Sequence, residues 1–152
     1  MKYKKDKRIK NLALYNIHVG NWVQVWSENA ERYSPPLKII QICDDGTIYL
    51  VINDEERPMP WEENIKNVDA LPITPKLLGG FGFKFEDKKA VRNGYVEEIL
   101  YDNINIGHLY TYSNGRVECY SAGEVCVYMH NLCNVLAIFF PSIKLEWKGI
   151  EK

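Results

Sequence analysis

Residues 37–52 read "LKIIQICDDGTIYLVI", two β-branched, apolar runs flanking Asp45-Gly46. An Asp-Gly pair between such runs is a hairpin signal of the two-residue, type I′ kind. A loop of that length sets Ile42 opposite Tyr49 and Cys43 opposite Ile48, which leaves both faces of the hairpin largely apolar. Strands that are apolar on both sides belong in a barrel or sandwich covered by other elements, not on a half-exposed edge.

Working outward, "VGNWVQVW" (19–26) is a further strand, joined to the hairpin by a polar loop that holds Pro35 and Pro36. Residues 11–72 therefore predict a small β-barrel-like lobe of the SH3-like kind. Within it, residues 53–68, "NDEERPMPWEENIKNV", are charged and carry two prolines, so they read as a long acidic loop. Trp61 in that loop is costly to leave in water; it either docks back onto the barrel or faces a ligand. Ahead of the lobe, "MKYKKDKRIK" (1–10) holds six Lys or Arg against one Asp, a flexible basic arm or a phosphate-contacting one.

Residues 73–152 predict an α+β lobe. Thr74 is placed to cap a short helix near 75–79, with Pro75 at its first position and Gly79-Gly80 at its end. The "GGFGF" that follows is not a phosphate loop, because it trails the helix instead of preceding one. Strands between 95 and 128 form an antiparallel meander with turns at Asn114-Gly115 and Ala122-Gly123, and a helix near 129–140 closes the lobe. With two-residue turns, His108, Tyr110, Tyr112, Val117, Cys119, Cys126 and Tyr128 share one face, taken here as the core. Cys119 and Cys126 become cross-strand neighbours. Fold class is α+β, whether as two lobes or as one compact domain.

The chain has 152 residues, 46% hydrophobic and 26% charged, the balance of an ordinary folded protein, and its net charge of −1 recruits neither nucleic acid nor an anionic membrane. Its start carries no secretory h-region, and no window is apolar enough to span a membrane, so the expected location is the cytoplasm with four reduced cysteines.

Three stretches carry a resemblance: "VGNWVQV", "ALPITPKLLGGFGF" and "YMHNLCNVLAIF". Gly20, Asn21 and Val23 match an Ile-Gly-Asn-x-Val strand. Pro72, Thr74, Gly82 and Phe83 match a Pro-Ile-Pro-Leu-Thr, short helix, Gly-Phe pattern. Tyr128, His130, Leu132 and Asn134 match a Tyr-x-His-x-Leu-Gln-Asn helix start. Together they resemble a family of short uncharacterised proteins from gut bacteria and their phages or mobile elements. The chain departs from that pattern at Cys133, where the family has Gln, and in the longer loop 53–68. The resemblance implies a fold and a genomic context, and no activity.

"CVYMHNLCN" (126–134) gathers thiols, an imidazole and amides, and with Cys119 it offers four zinc-type ligands. No Cys-x-x-Cys pair is present, and Cys133 falls in the apolar stripe of Met129, Leu132, Leu136, Phe139 and Phe140, so packing is the simpler role. Cys126 with His130 lacks any sign of an oxyanion hole. The expectation is a non-enzymatic binding or structural module, without cofactor or metal, that meets a protein partner or a second copy of itself. The alternative class is a nucleic-acid accessory protein using the barrel lobe and basic arm, against which the acidic loop and neutral balance count. Trp61, Val135 and Ile138 are the candidate interaction residues. Val135 and Ile138 lie opposite the helix stripe, where the barrel lobe, the segment "IKLEW" (143–147) or a partner copy across a twofold axis must cover them.

Overall fold

The computed structural model describes residues 10–53 and 60–149; the expected flexible arm, apart from Lys10, lies outside the described residues. The chain forms two compact units, Met1–Pro72 and Ile73–Lys152.

The first unit is a curled, half-barrel antiparallel sheet with the order β2-β1-β3-β4-β5, in which β6 pairs with the other side of β1. Its strands are β1 (Trp22–Ser27), β2 (Arg32–Tyr33), β3 (Leu37–Ile42), β4 (Thr47–Val51), β5 (Trp61–Asn64) and β6 (Val68–Asp69). Val23, Leu37, Ile39, Ile48, Leu50 and Val68 are buried on the sheet, and Trp22 is buried as well. The hairpin of β3 and β4 exists, but its register differs from the two-residue expectation. Ile42 pairs with Ile48 and Gln41 with Tyr49, because Cys43 bonds to Thr47 around a three-residue loop, Asp44-Asp45-Gly46. Gly46 takes a φ of +95° while Asp45 keeps a negative φ, and Asp45 Oδ1 accepts the Thr47 N–H at 2.9 Å. That is a type I turn followed by a glycine bulge, not a type I′ turn.

The expected loop 53–68 is also corrected. Residues 54–59 lie outside the described residues, but 61–69 form β5, a 3₁₀ turn (Ile65–Asn67) and β6. The glutamates of β5 are compatible with a strand because, among the described residues, it is an edge strand paired with β4.

The second unit is a five-stranded antiparallel sheet in the order β11-β10-β9-β8-β7. It comprises α1 (Pro75–Gly80), β7 (Lys84–Val91), β8 (Gly94–Tyr101), β9 (Ile104–Tyr112), β10 (Val117–Ser121), β11 (Glu124–Cys126) and α2 (Met129–Phe139). Thr74 Oγ1 accepts the Leu77 N–H at 3.0 Å and caps α1. β7, "KFEDKKAV", has no counterpart in the sequence reading; its charges suit an exposed edge, where they discourage further pairing. Helix α2 lies against β10 and β11 and buries Met129, His130, Leu132, Cys133, Val135 and Leu136. No helix among the described residues is long and apolar enough to cross a membrane.

The core face of this sheet is another correction. Tyr112 bonds to Arg116 around Ser113-Asn114-Gly115, again a three-residue loop with glycine at positive φ, 92°, and with Asn114 Oδ1 accepting the Arg116 N–H at 2.9 Å. The added residue rotates β9 by one position against β10. Leu109 therefore pairs with Cys119 and joins the core, while His108, Tyr110 and Tyr112 turn to the opposite face.

Candidate functional site

Two surfaces of the second unit combine exposure with unusual chemistry. The first lies between β11 and α2. Ala122 and Gly123 both take positive φ, 50° and 81°, so Ser121 and Glu124 close a true two-residue hairpin. Cys119 then faces Cys126, as the sequence leads one to expect. Burial pushes the Cys119 thiol up to about 12 and the Cys126 thiol up to about 11. Thiols so disposed stay protonated at neutral pH and make poor nucleophiles. Cys119, Cys126, His130 and Cys133 do not form a converging ligand group among the described residues.

Along the outside of that hairpin runs a groove of about 360 Å³, lined by Glu124, Val125, Cys126, Asn131, Asn134, Ile138 and Phe139, with Val135 at its floor. Val125, Val127, Ile138 and Phe139 are exposed, Ile138 to 72%. Val135 and Ile138, grouped by sequence on one helix face, thus differ in fate: Val135 is buried and Ile138 stands in solvent. The segment "IKLEW" packs elsewhere. Trp147 meets Phe81 edge-on at 5.0 Å, Lys148 donates its N–H to the Gly80 carbonyl at 2.8 Å, and Tyr101 donates to the Lys144 carbonyl at 3.0 Å.

The second surface is the outer face of the sheet. Tyr112 and Tyr120 both donate their phenols to one oxygen of Glu118, at 2.8 and 2.9 Å, and Arg116 lies 3.7 Å from its other oxygen. These phenol donors hold the Glu118 carboxyl below its ordinary value, and the Glu118 bond in turn pushes the Tyr120 phenol up to about 12. The Tyr110 ring packs edge-on against Tyr120 at 5.0 Å and runs nearly parallel to Tyr112 at 6.4 Å. Beside this ridge is a pocket of about 190 Å³ lined by Asp87, Lys89, Val96, Glu97, Glu98, His108 and Tyr110. Carboxylate oxygens of Glu86, Asp87 and Glu98 approach within 4.8 Å of one another, and a hydrogen bond with Asp87, followed by desolvation, raises the Glu98 carboxyl above its ordinary value.

Sequence reasoning missed this second surface because it assigned His108, Tyr110 and Tyr112 to the core. The Asx-Gly pair serves two- and three-residue loops alike, so the local sequence does not separate the two registers. Trp61 belongs to neither surface: it pairs with Leu50 at the β5 edge of the first unit and is 41% exposed. Comparison of the chain with family models, with curated proteins and with solved structures found no match.

Proposed function

We propose that the chain is a non-enzymatic interaction module that assembles through the α2–β11 face with a second copy of itself. The observation that carries this reading is Ile138, 72% exposed beside Phe139 and Val125 on a face that the chain's own "IKLEW" segment does not cover. From Val125 to Ile143 the sequence contains no Asp, Glu, Lys or Arg. Glu124, at the turn end of β11, is the acidic residue in the groove's lining, so two such faces brought together about a twofold axis meet few like charges. The β11 edge adds direction. With Ser121 and Glu124 as the bonded pair next to the turn, Val125 points its backbone groups away from β10, where an antiparallel copy can pair with them. The next carbonyl in that direction, Val127, accepts the Ile73 N–H and so limits the added strand to a short one.

In the first unit, the order β6-β1-β3-β4-β5 with a 3₁₀ turn between β5 and β6 supports an SH3-like barrel. A phage or mobile-element context rests on the family resemblance, and a cytoplasmic setting on the free thiols. The nucleic-acid alternative is weakened where its tyrosines are most concentrated, because Glu118 and Glu98 share that face and repel phosphate.

Light scattering coupled to size-exclusion chromatography tests the assembly. A dimeric wild type and a folded, monomeric Ile138→Glu variant are expected. A monomeric wild type, or a dimer that Ile138→Glu leaves intact, rejects this interface.

A further inference from the structure

The outer face of the β7–β11 sheet carries chemistry that the α2–β11 interface does not use. β9 presents His108 and Tyr110 on that face; His108 pairs with Glu98 on one side and Tyr120 on the other, and Tyr110 pairs with Val96 and Glu118. A pocket of about 190 Å³ sits here, with the Tyr110 ring, Asp87, Glu98, Lys89 and His108 among its lining.

Each wall constrains the ligand. Ionised carboxylates only accept hydrogen bonds, so the ligand must bring O–H or N–H donors. The face of a tyrosine ring is electron-rich and attracts polarised C–H or cationic edges. Glu86, Asp87, Glu97, Glu98 and Glu118 line or border the site and outnumber Lys89 in its lining and Arg116, which lies 3.7 Å from Glu118, so a phosphate-bearing ligand is opposed. A neutral pyranose meets all three conditions: hydroxyls around its rim, C–H groups on its faces, and no charge. The pocket is of the size of one sugar ring, and the nearly parallel ring of Tyr112 lies 6.4 Å from that of Tyr110.

We propose that this pocket, with Tyr110 as its aromatic wall and Asp87, Glu98 and His108 as its polar contacts, is a binding site for a hexose unit of a neutral glycan. The Glu118 clamp is a positioning device: two phenol bonds to one oxygen fix the orientation of Tyr112 and Tyr120, and Tyr120 in turn braces Tyr110.

Nuclear magnetic resonance titration of the full chain, with a panel of neutral tetrasaccharides of glucose, galactose, mannose and N-acetylglucosamine, is the test, with an oligothymidylate as counter-probe. Saturable shifts centred on His108, Tyr110 and Val96 are expected for at least one tetrasaccharide. Tyr110→Ala and the isosteric Glu98→Gln should each weaken that binding by about tenfold or more. Thermal unfolding of Glu98→Gln should match the wild type, which separates lost contact from lost fold. Failure of every tetrasaccharide to saturate, binding indifferent to Glu98→Gln, or shifts at these residues with the oligonucleotide instead would overturn the proposal. None of these results depends on whether the chain dimerises, since the pocket residues do not line the α2–β11 groove.

Discussion

Tyr33 donates its phenol to Oδ2 of Asp69 at 2.6 Å, tying β2 to β6 across β1 inside the first unit. Asp69 is fully buried, and Asn11 Nδ2 also reaches its Oδ1 at 3.0 Å. A carboxylate so placed depends on its donors, because desolvation is offset only by hydrogen bonds. Tyr33→Phe removes a donor and leaves the acceptor in place. We expect a loss of about 1–3 kcal/mol in urea unfolding. A change within measurement error would mean that water replaces the phenol.

The paired thiols of Cys119 and Cys126 make stability sensitive to alkaline pH. Their folded values, about 12 and about 11, exceed the ordinary 9.0, so the folded state holds the protons more tightly than the unfolded chain. The stabilisation is complete below about pH 9 and is lost as pH rises through about 11 and then about 12. Wild-type unfolding free energy should therefore fall more steeply over that window than that of a Cys119→Ala, Cys126→Ala double variant. Parallel curves would contradict the burial of these thiols.

Gly80 is the point where the C-terminal extended segment meets α1. A Cβ built there would overlap the indole of Trp147, and the Gly80 carbonyl already receives the Lys148 N–H. Gly80→Ala should displace the indole and destabilise the second unit by about 1–3 kcal/mol, the usual range for overpacking. Combining it with Trp147→Ala should recover part of the loss. Two variants with simply additive losses would show that the glycine and the indole are not coupled.

How far the sequence reveals this fold turns on two dipeptides. Asp45-Gly46 and Asn114-Gly115 both mark real turns, yet each sits in a three-residue loop, with the Asx side chain bonded to the residue after glycine. Asx-Gly serves type I′ and type I-plus-bulge loops alike, so the pair locates a turn without setting its length. One residue of error leaves the strands in place and exchanges their faces. For the first hairpin, apolar on both faces, the cost is small. For β9 it places Tyr110 of the outer pocket, with His108 and Tyr112, in the core. Ala122-Gly123, the less conspicuous signal, has the two-residue geometry and gives Cys119 and Cys126 correctly. Thr74 and Pro75 likewise mark the start of α1, since a cap is local chemistry. β7 is hidden because its Lys, Glu and Asp satisfy water rather than a core, and only pairing with β8 makes it a strand.

The attachment of Trp147 to α1 also orders events during synthesis. Every strand of the first sheet lies before residue 73, so that sheet can be completed while later residues are still being added. The second unit has its own sheet by residue 126, but the indole that covers Gly80 and Phe81 emerges some twenty residues later. Until it arrives, the ring of Phe81 lacks its edge-on partner and the Gly80 carbonyl lacks its donor. A nascent chain stalled after β11 should expose this apolar site to chaperones, and release of the residues that follow should retire it.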